Sequence, residues 1–130
     1  MDFTTALAAF AAISLVYLFI QVNFTYAYFG FGYGWSSNRK TDKVLNPIGK
    51  RIANTWANQA ESAAYIVPAL GVAAITGLEH NGAQTAALLI VIGRAAFGPL
   101  YYTGVPFLRI PAWALAFFST VYLAYVPLTV

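Results

Sequence analysis

Four long blocks of hydrophobic residues, separated by short polar or Gly- and Pro-containing stretches, dominate this 130-residue chain. The blocks cover about residues 3–29, 51–76, 83–104 and 109–127. A membrane-spanning helix needs ~20 mostly apolar residues, so four spans use about 80 residues and leave too few for a fifth. The first block has no basic flank and is too long for a cleaved signal peptide. The pattern predicts an all-α membrane protein in which one domain contains four transmembrane helices.

The composition supports a membrane protein and excludes several kinds of site. Hydrophobic residues make up 60% of the chain and charged residues 8%, whereas a soluble domain has about 45–50% apolar and about 25% charged residues. The chain has no cysteine and one histidine. Disulfides, thiolate chemistry and multi-histidine metal centres are therefore excluded, and we expect no metal.

The basic residues are concentrated in one connection, which predicts the orientation in the membrane. Five of the seven Lys and Arg residues lie between positions 39 and 51. They are Arg39, Lys40, Lys43, Lys50 and Arg51. The positive-inside rule places the 39–51 loop and the 104–111 turn in the cytoplasm, with both termini outside. This loop also explains the net charge of +3, which needs no nucleic-acid partner.

A stripe of polar side chains follows one face of the second block. Its members are Arg51, Asn54, Asn58, Glu61 and Tyr65. At ~100° per residue they fall within an arc of about 80°. An ionisable group inside a span costs roughly 2.5–3.5 kcal/mol, so such groups face the bundle interior or a cavity. The stripe is either a packing feature or the wall of a functional pocket.

The third block carries a matching face of Arg94, Phe97 and Tyr101. Counted from the cytoplasmic side, Glu61 and Arg94 both lie ten residues into their helices, ~15 Å deep. Opposite charges at the same depth should pair, so we predict a Glu61–Arg94 ion pair. Asn54, Asn58 and Tyr101 add more hydrogen-bonding groups than one pair needs, which favours the pocket.

The order of these motifs resembles that of a bacterial member of the MAPEG family, the membrane-associated proteins in eicosanoid and glutathione metabolism. The motifs are Asn38-Arg39, Gly49, Arg51, Asn58-Gln59-Ala60-Glu61, Arg94, Tyr101 and Gly104-Val105-Pro106-Phe107-Leu108-Arg109. The resemblance implies a four-helix bundle in a bacterial inner membrane, assembled as a homotrimer among membrane lipids. It also implies glutathione bound between subunits near the cytoplasmic side.

The resemblance further implies a role for each motif residue. Arg109 is the implied catalytic residue, since a guanidinium beside the glutathione thiol lowers the thiol pKa and supplies the nucleophilic thiolate. The implied function is a glutathione-dependent transferase or peroxidase acting on lipophilic electrophiles. The implied glutathione-binding residues are Arg51, Asn54, Asn58, Glu61, Arg94 and Tyr101.

The chain departs from the catalytic pattern at several positions, including the end of the first span, where Asn23, Thr25 and Tyr26 stand in place of arginines. These departures leave alternatives open. Asn54 replaces an Arg, while Ser62 and Phe97 replace tyrosines of leukotriene-synthase-like members. Whether glutathione still binds is therefore undecided. The alternative is a non-catalytic accessory or scaffold subunit of a larger membrane complex. A small multidrug or cation transporter is disfavoured, because the first span has no acid apart from Asp2 at its start.

Overall fold

The computed structural model of the protein describes residues 1–30 and 46–129, without the side chain of Phe29. Four α-helices account for most of these residues, and no strand occurs among them. The helices are α1 (Phe3–Phe29), α2 (Pro47–Ile75), α3 (Asn81–Tyr102) and α4 (Ile110–Thr129). The predicted all-α, four-helix fold is confirmed. Helix α2 begins at residue 47 rather than 51, because Asn46 caps it and Pro47 suits its first turn.

The helices have the length and surface that a membrane requires. Helices α1, α3 and α4 are each long and apolar enough to cross a bilayer. Helix α2 has 29 residues but carries the polar stripe. Large apolar side chains such as Leu15, Phe19 and Phe118 are exposed, as hydrocarbon surroundings favour. Arg39, Lys40 and Lys43 of the predicted cytoplasmic loop lie outside the described residues, so the orientation stays a prediction.

Helices α2 and α3 form the centre of the bundle. Helix α1 packs on both of them, α4 packs on both from another side, and within the described residues α1 and α4 do not contact each other. An apolar core fills the bundle toward the end at which α1 begins and α2 ends. Its largest members are Phe3, Phe10, Ile66, Leu70, Ile90 and Leu123.

Three helices begin with a side chain that caps the first turn. Asp2, Asn46 and His80 each accept a hydrogen bond from the backbone N–H three residues later, at 2.7, 2.9 and 3.0 Å. Each bond satisfies one of the amides that a helix N-terminus leaves without an intrahelical partner. The caps fix where α1, α2 and α3 start.

Two glycines of α3 permit close packing against neighbouring helices. A Cβ at Gly93 would lie 2.8 Å from the carbonyl oxygen of Ala112 in α4, and one at Gly98 would overlap the ring of Tyr17 in α1. Neither position has room for a methyl group. Glycine at these positions lets α3 approach α4 and accept the Tyr17 side chain.

The Tyr17 hydroxyl repairs a break in the hydrogen bonding of α3. Pro99 has no N–H, so the carbonyl of Ala95 lacks its helical donor. The Tyr17 hydroxyl donates toward the carbonyls of Arg94 and Ala95, with 3.2 Å to the latter. It also accepts from the N–H of Gly98 at 2.9 Å. A residue of α1 thus stabilises the helix that carries Arg94 and Tyr101.

Candidate functional site

A cavity of about 370 Å³ lies among α2, α3 and α4, at the end of the bundle where α2 begins and α3 ends. This volume falls within the range of about 300–1,000 Å³ that is typical of small-molecule sites. The cavity is lined by Asn54, Ala57, Asn58, Glu61, Phe97, Tyr101, Arg109, Ile110 and Trp113.

Helix α2 supplies the acceptor side of the cavity. Asn54, Asn58 and Glu61 lie at i, i+4 and i+7, so they share one helix face. Asn54 and Glu61 are exposed and Asn58 is half-buried. The Oδ1 atom of Asn58 is buried and has no hydrogen-bond partner among the described residues. This wall therefore offers the exposed Glu61 carboxylate to a ligand that carries donors, while the Asn58 oxygen lies beneath the surface without a partner.

The opposite side of the cavity carries a guanidinium on an aromatic ring. The Arg109 Cζ atom lies 4.5 Å from the centroid of the Tyr101 ring, a cation–π distance that orients the charge. The Tyr101 hydroxyl accepts a hydrogen bond from Asn54 Nδ2 at 3.3 Å. A turn between α3 and α4, in which Gly104 adopts φ 74°, brings Arg109 back over Tyr101.

The remaining wall is apolar and mostly aromatic. Phe97, Ile110 and Trp113 line it. The Trp113 ring stacks on Phe117, with centroids 4.9 Å apart and planes 9° apart. The cavity thus combines an acidic and amide wall, a fixed guanidinium and a rigid apolar surface. Such an arrangement can bind a molecule that has both charged groups and an apolar part.

Arg94 lies inside the bundle and does not pair with Glu61. Its side chain is fully buried, and its Nε–H donates to Gln59 Oε1 at 2.8 Å. The other two guanidinium nitrogens have no hydrogen-bond partner among the described residues. Glu61 is exposed at the cavity. The predicted Glu61–Arg94 ion pair is wrong, because α3 turns Arg94 inward while α2 turns Glu61 outward.

A chain of neutral hydrogen bonds supports Arg94 from α1 and α2. Gln59 Nε2 donates to Ser14 Oγ at 2.9 Å, and the Ser14 hydroxyl donates to the carbonyl of Phe10 at 2.8 Å. Neither Gln59 nor Ser14 belongs to the polar stripe that the sequence predicts. Both are polar residues within apolar blocks, and Gln59 lies ~100° around the helix from Asn58. A search for a second polar face on α2 would have found Gln59.

Arg51 lies beside the turn that follows α3. A Cβ at Gly104 would lie 3.0 Å from the Arg51 Cζ atom, so glycine there accommodates both the positive φ and the guanidinium. Neither Arg51 nor Arg94 lines the cavity, and their predicted contact with glutathione stays a prediction. Ser62, one of the departures from the catalytic pattern, does not line the cavity either. It is buried, and its hydroxyl donates to the carbonyl of Gln59 at 2.7 Å.

The family was tested by comparison of the sequence with known proteins. A sequence profile of the MAPEG family matches residues 3–129. The chain belongs to the MAPEG family. No individual curated protein and no solved structure gives a significant match. MAPEG proteins are typically membrane-embedded oligomers, commonly use glutathione, and include glutathione transferases and peroxidases.

The geometry of this MAPEG protein brings most of the predicted site residues together. Asn54, Asn58, Glu61, Tyr101 and Arg109 meet at one cavity. They come from three different helices or their ends, so only the folded chain assembles them. Within the part of the chain that the structure describes, no group of His, Asp and Glu could hold a metal ion.

Proposed function

We propose that the protein is a glutathione-dependent transferase or peroxidase that acts on lipophilic electrophiles. The observation that carries this proposal is the convergence of Asn54, Asn58, Glu61, Tyr101 and Arg109 on one cavity. Membership of the MAPEG family supports it, since the family includes enzymes of both kinds.

The polar groups of the cavity complement those of glutathione. The tripeptide has two carboxylates, one ammonium group, peptide N–H groups and a thiol. In our proposal Glu61 accepts from the ammonium group, and the side-chain amide of Asn58, which lines the cavity, hydrogen-bonds to the peptide backbone of glutathione. Arg109 is the only guanidinium that lines the described cavity. In our proposal Arg109 donates a charge-assisted hydrogen bond to the anionic sulfur of glutathione.

Arg109 activates the thiol in this proposal. A free thiol has a pKa of about 8.5, and an adjacent cation lowers it. In a transferase reaction the thiolate forms a carbon–sulfur bond while the leaving group departs with its electron pair. In a peroxidase reaction two glutathione molecules are oxidised to the disulfide, and a hydroperoxide is reduced to an alcohol and water. Arg109 stabilises the sulfur anion before attack in both cases.

The aromatic wall receives the second substrate. Phe97, Ile110 and Trp113 lie beside the polar groups, and the helices that carry them are surrounded by exposed apolar side chains. A lipophilic electrophile dissolved in the membrane can reach this wall without crossing water. The rigid Trp113–Phe117 stack then holds it next to the sulfur.

The protein works as a homotrimer in this proposal, in a bacterial inner membrane with the cavity toward the cytoplasm. Ala57, Ala60, Glu61 and Ala64 are exposed along one face of α2. A carboxylate facing hydrocarbon is costly, whereas small residues at this spacing let helices approach closely. A neighbouring copy of α2 would shelter Glu61 and close the cavity. The mass of the detergent-solubilised protein should equal three copies of the chain.

Thiolate formation tests the proposed function directly. Purified protein is titrated with glutathione and, as a control, with S-methylglutathione, and the ultraviolet difference absorbance of the thiolate is recorded at neutral pH. We expect a saturable signal with glutathione alone. A flat response with glutathione, at concentrations well above those found in cells, would overturn the proposal.

A non-catalytic accessory subunit is the second candidate. Asn54 and Phe97 favour it, because they line the cavity where catalytic relatives carry groups that contact glutathione. This candidate predicts a flat thiolate response together with a defined second membrane protein that co-purifies in mild detergent. Isolation of a homotrimer with a saturable thiolate signal would exclude it.

A further inference from the structure

We infer that the buried guanidinium of Arg94 raises the affinity of the cavity for a negatively charged sulfur group, because its own charge has no anionic partner. Gln59 is the positioning residue, since its neutral amide holds the guanidinium without cancelling the charge. The inference rests on the proposed function, because the group on which the charge acts is the anionic sulfur of a bound thiol. It assigns a role to two residues that do not line the cavity.

Arg94 lies directly behind the cavity wall. Its Cζ atom is 4.7 Å from the centroid of the Phe97 ring, and Phe97 lines the cavity while only 2% of its surface is exposed. The Phe97 ring in turn packs edge-on against the Tyr101 ring, with the two ring centroids 5.6 Å apart. The Phe97 ring therefore separates the Arg94 guanidinium from a bound ligand. This ring has no polar group that could screen the charge.

The partner of Arg94 is neutral and its orientation is fixed. Gln59 accepts from Arg94 Nε through Oε1 and donates to Ser14 through Nε2. The Ser14 hydroxyl donates to a backbone carbonyl, so its oxygen accepts from Gln59. The Gln59 amide cannot flip, because the flip would break its bonds to Ser14 and to Arg94. Within the described part of the chain no carboxylate enters this network, and an arginine side chain does not lose its proton in proteins. The bundle interior therefore holds a net positive charge.

The titratable groups around Arg94 do not cancel this charge. Tyr17 of α1 and Tyr65 of α2 face it, and phenols are uncharged at neutral pH. Glu61 of α2 faces Tyr65 and the cavity. Arg109, which directly precedes α4, lies over the Tyr101 ring and is itself a cation, so it does not cancel the charge either.

A buried cation across a thin apolar wall should favour an anion in the cavity. At an effective dielectric constant of ~20 and a separation of about 10 Å, one unit charge changes the affinity for an anion roughly tenfold. Arg109 would contact the sulfur directly, and Arg94 would act on it through Phe97. The discriminating readout is consequently the preference for a charged over an uncharged sulfur group.

The experiment compares two ligands on the full-length protein in detergent. Glutathione sulfonate carries a permanent negative charge at sulfur, and S-methylglutathione carries none. Isothermal titration calorimetry gives the ratio of the affinity for glutathione sulfonate to the affinity for S-methylglutathione. The ratio is measured for the wild type, for Gln59→Glu and for the control Gln84→Glu, which adds the same charge in the first turn of α3. We expect Gln59→Glu to lower the ratio about tenfold and Gln84→Glu to leave it unchanged.

A second variant keeps the test decisive if Gln59→Glu does not fold. Arg94→Gln removes the charge but retains a donor for Gln59, and it should lower the ratio by the same factor. An unchanged ratio in a folded variant, with both ligands still bound, overturns this inference and leaves the proposed function standing. A wild type that binds neither ligand overturns the inference and the proposed function together.

Discussion

Two polar regions lie on opposite sides of α2, and neighbouring residues belong to different ones. Asn58 faces the cavity with Asn54 and Glu61, whereas Gln59 faces inward to Ser14 and Arg94. We call the inner region closed because side chains of α1, α2 and α3 bond to one another there, although two guanidinium nitrogens of Arg94 have no partner among the described residues. The outer region is open, since Asn54 and Glu61 are exposed at the cavity and the Glu61 carboxylate has no hydrogen-bond partner among the described residues.

The difference shows how structural and functional polar groups can be told apart inside a membrane. An unsatisfied polar group in an apolar medium costs several kcal/mol. The inner region meets most of this requirement within one chain, and its groups order the helices. Among residues 1–30 and 46–129 the Glu61 carboxylate of the outer region has no such partner, and a ligand or another copy of the chain can supply one. Exposure at a cavity, rather than polarity alone, therefore identifies the candidate site.

Removal of the guanidinium at the cavity should give the largest effect in the open region. Arg109→Met keeps an unbranched side chain against Tyr101 but removes the charge that stabilises the sulfur anion. Loss of one such group typically costs about 100-fold or more in rate. Initial rates of conjugation of glutathione with 1-chloro-2,4-dinitrobenzene measure it. Lys50→Met, which removes an exposed cation from the first turns of α2, should retain the rate. Equal rates for both variants would show that Arg109 does not act on the thiol.

The closed region also includes Tyr17, which bonds to the backbone of α3 at Arg94, and its loss should lower stability rather than activity. Tyr17→Phe deletes the hydroxyl that bonds to the Gly98 N–H and the Ala95 carbonyl. Burying these groups without a partner should lower the free energy of unfolding by about 1–3 kcal/mol. Denaturant titration in detergent, followed by circular dichroism, measures the change. Tyr125→Phe is the matched control because Tyr125 is exposed, and its stability should equal that of the wild type. A similar stability for Tyr17→Phe would mean that the hydroxyl does not hold α3.

The open region could be predicted from the sequence more completely than the closed one. The lengths of the apolar blocks predicted the helices, and the 3.6-residue period placed Asn54, Asn58 and Glu61 on one face. The Glu61–Arg94 pairing failed because depth along two helices was known but the rotation of α3 was not. That rotation depends on packing at Gly93 and Gly98, which periodicity does not report.

The closed region depends on contacts between residues far apart in the sequence. The Tyr17 hydroxyl meets Gly98 only after α1 and α3 have packed. Pro99 predicts a carbonyl without a donor, but the sequence does not say which side chain supplies the donor. Ser14 and Gln59 are individually visible as polar residues in apolar blocks. Their connection to Arg94 requires the positions of three helices.

A gain of affinity should be possible in the open region. Asn54→Arg adds a guanidinium beside Tyr101, where catalytic relatives carry an arginine, and loses a single 3.3 Å bond to the tyrosine hydroxyl. A charge-assisted bond is worth about 1.5–3 kcal/mol, so we expect the Kd for glutathione to fall about tenfold. Isothermal titration gives the Kd, and Asn54→Gln serves as the neutral control. An unchanged Kd for Asn54→Arg would place the carboxylates of glutathione away from this position.

The smallest expected effect is a local loss of stability at the start of α1 at low pH. The closed region should not take part in it. The backbone N–H of Thr5 and the hydroxyls of Thr4 and Thr5 hold the pKa of the Asp2 carboxyl below its ordinary value of 3.8. The ionised cap therefore contributes stability above that pH, and the contribution is lost as the pH falls through the lower pKa of the folded state. Amide hydrogen exchange, corrected for intrinsic rates, should show protection falling at Thr5 and Ala6 below about pH 3.8 while Gly98 keeps its protection. Asp2→Asn should make the Thr5 protection independent of pH in this range. Loss of protection at Gly98 together with Thr5 would mean that the inner hydrogen-bond network is coupled to the chain end and is not closed.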